Sequence, residues 1–256
     1  MRGHPKEPMS HCNSAMTIVI PMAGHGSRFS QAGFKIPKPL IPIDGVPMFV
    51  RAANSLPLQS ASQIVFVVLK EHIRQLHIDK AISEAYPSLP ISIVALNQVT
   101  KGQAETVAIA LEQINATGSL LIFNSDSAFE SNLVFQLENL PIGVAGAIQY
   151  FSDDNSRWSF IRLNSYGHVV ETAEKRVISN MASTGLYYFS SAKEFLENVD
   201  ASNIENGEMY VAPVYNKLLQ QGKMVTALPV QRYFCFGTPE DLDRHQSGHY
   251  YTVYGN

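Results

Sequence analysis

The sequence predicts an α/β fold: a central, largely parallel sheet flanked by helices, with an antiparallel extension. Three observations predict it. Short apolar runs alternate with helix-like segments over the first half of the chain. Closely spaced strand-like segments replace that alternation after about residue 141. A glycine-rich loop follows the first apolar run, where an α/β sheet binds its ligands, beyond the carboxyl end of a strand.

The elements justify this in order. Strand-type runs occupy 17–22, 63–69, 91–96 and 119–123, and helix-like segments 47–56, 71–86 and 103–115 lie between them. In the second of these, Ile73, Leu76, Ala81 and Ile82 approximate one apolar face. Strand–helix alternation implies parallel pairing with right-handed crossovers. The next segments, 142–151, 158–163, 167–174 and 183–189, read as strands, with turn signals at Asp153-Asp154-Asn155 and Tyr166-Gly167. Helices are expected at 190–198 and 208–221, and strands at 223–229 and 231–236. A last helix starts at Thr238-Pro239-Glu240, where a Thr cap, a first-turn Pro and early acids agree. No repeat or linker interrupts the chain, so residues 16–250 read as one domain. Residues 1–15, polar and irregular, read as a disordered tail.

The loop at 17–45, TIVIPMAGHGSRFSQAGFKIPKPLIPIDG, carries the clearest chemistry. Ala23, Gly24 and Gly26 let backbone N–H groups approach phosphate oxygens with little side chain in the way. Ser27 adds a hydroxyl, Arg28 a planar fork for phosphate, and Lys38 a point charge. Pro37 and Pro39 restrict the backbone around Lys38, which lowers the entropy cost of ordering it. The combination fits a polyanion. It is not a dinucleotide fingerprint, because Phe29 stands where the third glycine belongs, and no Gly-Lys-Ser/Thr of a Walker loop occurs. Asp44, in Asp44-Gly45, reads as a turn residue.

Other candidates lie at strand ends. Asp126, in Asn124-Ser125-Asp126, is placed for Mg²⁺ opposite the phosphate loop; an Asp there can also cap a helix beginning near 130. Asn97 and Gln98 carry amides suited to a base edge, and Gly102 permits close backbone approach. Lys175 can face a second phosphate, with Glu174 beside it, while Thr184 and Gly185 can line a small-substrate pocket. Glu208, read as beginning a helix, can meet a hydroxyl or amine. For Glu174, Lys175, Thr184, Gly185 and Glu208, a solvated charge or a cap explains the spacing at least as well, whereas for Asp126 the phosphate loop opposite favours the metal.

Composition narrows the class. The chain has 256 residues, 45% of them hydrophobic, enough for a sizeable core. A net charge of −3 argues against a general nucleic-acid binder. No apolar run approaches the roughly 18 residues of a membrane span. The two cysteines, Cys12 and Cys235, form no metal or disulfide pattern, and a reducing cytoplasm is the default compartment. Eight histidines show no paired ligand spacing, and no Gly-x-Ser-x-Gly elbow supports a hydrolase triad.

The ordered set Pro-Met-Ala-Gly-x-Gly-Ser-Arg-Phe, Pro-Lys-Pro-Leu, Asp126, Glu174-Lys175, Thr-Gly-Leu-Tyr-Tyr-Phe and Gly-Thr-Pro-Glu-Asp-Leu resembles the sugar-phosphate nucleotidyltransferases, or nucleoside-diphosphate-sugar pyrophosphorylases, over residues 17 to about 245. In style it is similar to small enzymes of capsule and surface-polysaccharide loci. The resemblance implies a Rossmann-like (GT-A-like) mixed sheet and transfer of a nucleoside monophosphate from an NTP to a small phosphorylated acceptor. A sugar 1-phosphate is the first expectation. A cytidylyltransferase for a non-sugar phosphate such as phosphocholine or phosphoglutamine is one alternative, and a non-catalytic nucleotide-binding regulator another. Residues Gly24 to Arg28 would hold the nucleotide and Lys38 the reacting phosphates. Asn97 or Gln98, with Gly102, would meet the base, Asp126 would hold Mg²⁺, and Lys175 the acceptor phosphate. Neither the base nor the oligomeric state, monomer or homodimer, is decided. One departure stands out: relatives carry an Asp where this chain has Cys235 in Tyr233-Phe234-Cys235-Phe236-Gly237-Thr238. A thiol is a poor ligand for a hard cation.

Overall fold

The structure, a computed structural model, describes residues 15–205 and 207–254. The tail expected over residues 1–15 lies, apart from Ala15, outside them, and so does Cys12.

Nine strands form the main sheet: β1 (Met16–Pro21), β2 (Gln63–Leu69), β3 (Ile91–Leu96), β4 (Ser119–Ile122), β5 (Val144–Ser152), β6 (Ser159–Leu163), β7 (Val169–Glu174), β8 (Met181–Phe189) and β9 (Met224–Pro229). Their order is β7-β6-β8-β4-β1-β2-β3, with β5 pairing β8 and β9 pairing β5. The block β4-β1-β2-β3 is parallel, with Ile18 opposite both Ile64 and Leu121. Strand β8 runs antiparallel to β4, β5 and β6, so the expected mixed sheet with an antiparallel extension is found.

The apolar runs are continuous because both faces are covered, and period 2 sorts their residues. Val19, Val65, Val67, Leu120 and Ile122 face helices Gln103–Ile114, Ala192–Asn198 and Ala212–Gln220, which supply Val107, Leu111, Phe195, Tyr215 and Leu218. Ile18, Ile20, Phe66, Val68 and Leu121 face helices Met48–Ala53 and Ile78–Ala85, which supply Phe49, Ala52, Ile78 and Ile82. At about 25 cal/mol per Å² of apolar area, these two layers dominate the favourable side of folding.

Three local expectations change. The helix expected over 71–86 is broken into Lys70–Leu76 and Ile78–Ala85 by His77, which adopts a left-handed conformation at φ 49°. The helix expected from 208 begins at Ala212, with Pro213 in its first turn, where a missing N–H costs nothing. Glu208–Met209 instead pairs with Ile204–Glu205, and the Met209 amide is committed to Lys101 O at 2.9 Å. The helix expected to begin near 130 is Leu133–Glu138, with Asn132 rather than Asp126 at its cap position; Ser127–Glu130, between them, is a strand held by Arg232–Cys235 from about a hundred residues away. The C-terminal helix is as expected, Pro239–Gln246, with the Thr238 side chain accepting from the Asp241 amide. No helix among the described residues is long and apolar enough to cross a membrane.

Candidate active site

Strand β1 has β2 on one side and β4 on the other, so the chain leaves its neighbours in opposite directions there. Such a switch point opens a crevice beyond the carboxyl ends of the strands. A cleft of about 560 Å³ lies there, between the loop after β1 and the loop after β4.

The first loop leaves the sheet after the Met22 amide bonds Val67 O at 2.7 Å. Among the described residues, the amides of 23–27 have no protein acceptor, so the loop presents donors to the cleft. Gly26 turns the chain at φ 61°, and a Cβ there would lie 2.9 Å from Lys38 Cβ. Its glycine is what lets Lys38 pack against the loop. The short helix Ser27–Gln31 is pinned by Phe29, buried with Ile41, Met48 and Phe236. Lys38 follows Pro37 at the start of a single 3₁₀ turn, Lys38–Leu40.

Lys38 is where three segments meet. Its Nζ donates to Asp126 Oδ2 at 2.5 Å and to Gly237 O at 3.1 Å, and sits 5.5 Å from the centroid of the Phe29 ring. Asp126 is held by its main chain, whose carbonyl accepts from the Phe236 amide at 2.8 Å. Both side chains remain about a quarter exposed, at 21% and 27%, and face the cleft. The two charges neutralise each other here, and each is accessible to an incoming partner of opposite sign.

The second wall is the loop after β3. Thr100 Oγ1 contacts Thr106 Oγ1 at 2.6 Å and donates to Gly102 O at 2.9 Å. Gly102 lies flat against the Met209 backbone, where a Cβ would approach to 2.5 Å. Gln103 donates to Asn124 Oδ1 at 2.7 Å, linking this wall to the loop that carries Asp126. The third wall holds Glu208 and Tyr210. Lys175, exposed and at φ 52°, donates to Tyr210 Oη at 2.5 Å, and Tyr210 in turn donates to Glu208. Behind it, Glu174 is buried and accepts from Ser159. Burial pushes its carboxyl up to about 7, the Ser159 bond and Lys175 oppose this, and Glu205 and Glu208 reinforce it.

The cleft therefore gathers Ala23, Gly24, Gly26, Ser27, Lys38, Gly102, Asp126 and Glu208, and Lys175 joins through Tyr210. The others lie elsewhere. Arg28 is exposed beside a smaller depression of about 200 Å³, shared with Ser27, Lys38 and Gly237. Asn97 and Gln98 line a separate depression of about 650 Å³, which shares Val99, Thr100 and Lys101 with the cleft. Thr184 does not reach a pocket wall: it is fully buried and donates to Gln149 Oε1 at 3.0 Å. Gly185 is packed under Asn124, whose Nδ2 would lie 2.1 Å from a Cβ. The sequence reading missed Gln103, Asn124 and Tyr210. Each stands within two residues of a residue it singled out, Gly102, Asp126 or Glu208, and that adjacency was the available signal.

Cys235 ends its strand under Arg157, whose Nη2 donates to the sulfur at 3.1 Å; the thiol donates to Asp241 Oδ2 at 3.4 Å. Burial, then the carboxylates of Asp241 and Asp126, pushes the thiol up to about 12. It is neutral at physiological pH and offers no anionic oxygen or sulfur to a cation. Among the described residues, no group of three His, Cys, Asp or Glu side chains is arranged to hold a metal.

The sequence model of the family described as Nucleotidyl transferase matches residues 17–246. A UTP–glucose-1-phosphate uridylyltransferase of Haloferax volcanii is 27% identical over 237 residues, covering 89% of this chain and 94% of its own. A glucose-1-phosphate adenylyltransferase of Bacillus anthracis is 26% identical over 231 residues, 82% of this chain; the match spans only 61% of that relative's length. Among solved structures, a nucleoside-diphosphate-sugar pyrophosphorylase of Vibrio cholerae superposes with a TM-score of 0.77 at 29% identity, over 88% of this chain and 98% of its own. The inositol-1-phosphate CTP transferase of T. maritima, with a TM-score of 0.71 at 16% identity over 89% of this chain and 91% of its own, shares the fold.

Proposed function

The chain belongs to the nucleotidyl transferase family and is a nucleotidyltransferase, and from that premise we propose that it transfers a nucleoside monophosphate from an NTP to a sugar 1-phosphate, releasing pyrophosphate. The observation that carries this reading is the Lys38–Asp126 pair, 2.5 Å apart at the mouth of the switch-point cleft, facing the donor amides of residues 23–27. The uridylyltransferase and adenylyltransferases among its relatives, both named for glucose 1-phosphate, support a sugar phosphate as acceptor.

A phosphate oxygen of the acceptor attacks the α-phosphorus of the NTP. The bond from that phosphorus to the β-bridging oxygen breaks, and pyrophosphate leaves in line. The attacking oxygen is already an anion, so no general base is needed, and catalysis is positioning plus charge stabilisation. The loop amides and Ser27 hold the polyphosphate. Lys38 stabilises charge on the reacting phosphate, and Arg28 reaches in from the rim toward the leaving pyrophosphate. The base lies against Gly102 and Gln103, and Lys175, held by Tyr210 and Glu208, meets the acceptor phosphate. Mg²⁺ fits the donor chemistry in a reduced form: it is commonly bound by one or two carboxylates together with substrate phosphates, and Asp126 lines the cleft with the loop. Bound there, Mg²⁺ supplies neutralisation of phosphate oxygens. We further read residues 16–250 as one catalytic unit, working in the cytoplasm where NTPs are made. By resemblance alone, its product is assigned to surface-polysaccharide assembly.

The test is Mg²⁺-dependent pyrophosphate release, measured with each NTP against sugar 1-phosphates, phosphocholine and inositol 1-phosphate. Turnover with a sugar 1-phosphate supports the reading, turnover confined to a non-sugar phosphate replaces the acceptor class, and no release from any pair overturns it. Lys38→Ala and Asp126→Ala should each lower turnover by about 10²–10³. The same loss is expected for Arg28→Ala if it holds the pyrophosphate from the rim.

A further inference from the structure

We propose that Arg157 is a positioning residue of this site, acting through Asp241 and Cys235 on the Lys38–Asp126 pair. The inference rests on the reading that this pair handles the reacting phosphates.

The loop between β5 and β6 is built to project Arg157. Asp153 Oδ1 accepts from the amides of Asp154 and Asn155 at 2.7 and 3.1 Å, and Asn155 Oδ1 accepts from the Arg157 amide at 3.2 Å. Asp153 Oδ2 accepts from Trp158 Nε1 at 2.8 Å, and the Arg157 guanidinium lies 4.0 Å from the centroid of that indole ring. Stacked in this way, its Nη2 donates both to Asp241 Oδ1 at 2.8 Å and to Cys235 Sγ at 3.1 Å.

Asp241 is the hub. Its side chain is only 2% exposed, and its other oxygen accepts from the Cys235 thiol and from Thr238 Oγ1, at 3.4 and 3.1 Å. These bonds clamp the turn from Cys235 to Thr238 at both ends. That turn in turn holds the site: Phe236 N donates to Asp126 O at 2.8 Å, and Gly237 O accepts from Lys38 Nζ at 3.1 Å. A Cβ on Gly237 would lie 3.4 Å from Asp241 Oδ2, 3.5 Å from Cys235 Sγ and 3.7 Å from Asp126 Oδ2. The thiol and both carboxylates thus pack around one glycine. Removing the guanidinium leaves a buried, uncompensated carboxylate within this packing, and the turn must move to hydrate it. A shift of about 1 Å at the pair is enough to cost about 10²-fold in rate.

Arg157→Gln removes the charge and falls short of the Nη2 that reaches Asp241 and Cys235. In the pyrophosphate-release assay it should lower kcat by about 10-fold or more, with KM for NTP and acceptor within about threefold, and Arg157→Lys should recover part of the loss. Cys235→Ala should lower kcat in the same direction, while Cys235→Ser, which still donates and accepts, stays within about threefold. Folded Arg157→Gln and Cys235→Ala variants with kcat near wild type, or a loss confined to KM, overturn the proposal. If Arg157→Gln does not fold, Arg157→Lys decides: it keeps the charge but not the fork to Asp241 and Cys235, and a kcat at the wild-type level overturns the proposal. Lys38→Ala and Asp126→Ala in the same assay separate the two failures. If they are inactive while Arg157→Gln is normal, only this inference fails; if they are active, the functional reading itself fails.

Discussion

At Glu174 the cost of burial is visible as a proton. The carboxyl is raised from 4.5 to about 7, chiefly by burial. Between those values the folded protein holds a proton that the unfolded chain releases, so stability falls as pH rises through this window and levels off above about 7. Glu174→Gln keeps an acceptor for Ser159 and removes the titration. It should match wild type near pH 5 and exceed it at pH 8 by an amount on the order of 3 kcal/mol. Denaturant melts at the two pH values check this; parallel pH profiles for both proteins count against it. At Lys38 and Asp126 the argument is different. Their opposite charges are partnered and partly hydrated, so their replacement is expected to act on turnover more than on stability.

Element ends show the backbone's demands at His77 and Gly185, where the chain lacks the residue the geometry prefers or uses the one that fits. His77 separates two helices in a left-handed conformation with an exposed side chain. A non-glycine residue there costs about 1–2 kcal/mol, partly offset by the entropy glycine would lose on folding. His77→Gly should therefore stabilise by up to about 1 kcal/mol, read as a higher denaturation midpoint with an unchanged slope. Gly185 sits at φ 83° beside the register shift in β8, directly under Asn124. Gly185→Ala should destabilise by about 1–3 kcal/mol. It should also break the Gln103–Asn124 bond, because the added Cβ would displace the Asn124 amide that accepts it. A variant with wild-type stability and turnover would show that the strand end yields more easily than its contacts indicate.

For the whole molecule, the prediction concerns how metal and nucleotide bind together. Among the described residues, Asp126 and Glu208 are the carboxylates that line the cleft, and Asp126 is already paired with Lys38. Mg²⁺ alone should leave the melting temperature nearly unchanged, whereas Mg²⁺ with the preferred NTP at about 100 times its Kd should add about 2.7 kcal/mol. A large shift from Mg²⁺ alone would reveal a cation site that the described residues do not show. This division follows from the fold. The parallel block supplies the crevice and the loop amides, the antiparallel extension brings Glu174 and Lys175, and the C-terminal turn closes on Lys38. A metal bound at Asp126 would arrive with the phosphates.

Much of this was legible in the sequence. The runs at 17–22, 63–69, 91–96 and 119–123 announce strands because a sheet covered on both faces needs no polar alternation. The loop after β1 stands out in the sequence because bare backbone, a hydroxyl, two cations and two prolines have few uses together besides holding a polyanion. What the sequence by itself determined was therefore the fold class; it also singled out the loop after β1, Lys38 and Asp126, which the fold brings together in one cleft. Tertiary structure alone decided the rest. Ser127–Glu130 is a strand only because Arg232–Cys235 supplies its hydrogen bonds. Glu208 leaves the expected helix because its neighbour Met209 is spent on Lys101. Asn97 and Gln98 fall outside the cleft while Gln103 turns into it. Arg157 meets Cys235 and Asp241 across 78 and 84 residues of chain. Local propensity fixes what each segment can become. Which side chains meet is set by hydrogen bonds and buried charges that must find partners in space, and no spacing along the chain records where those partners lie.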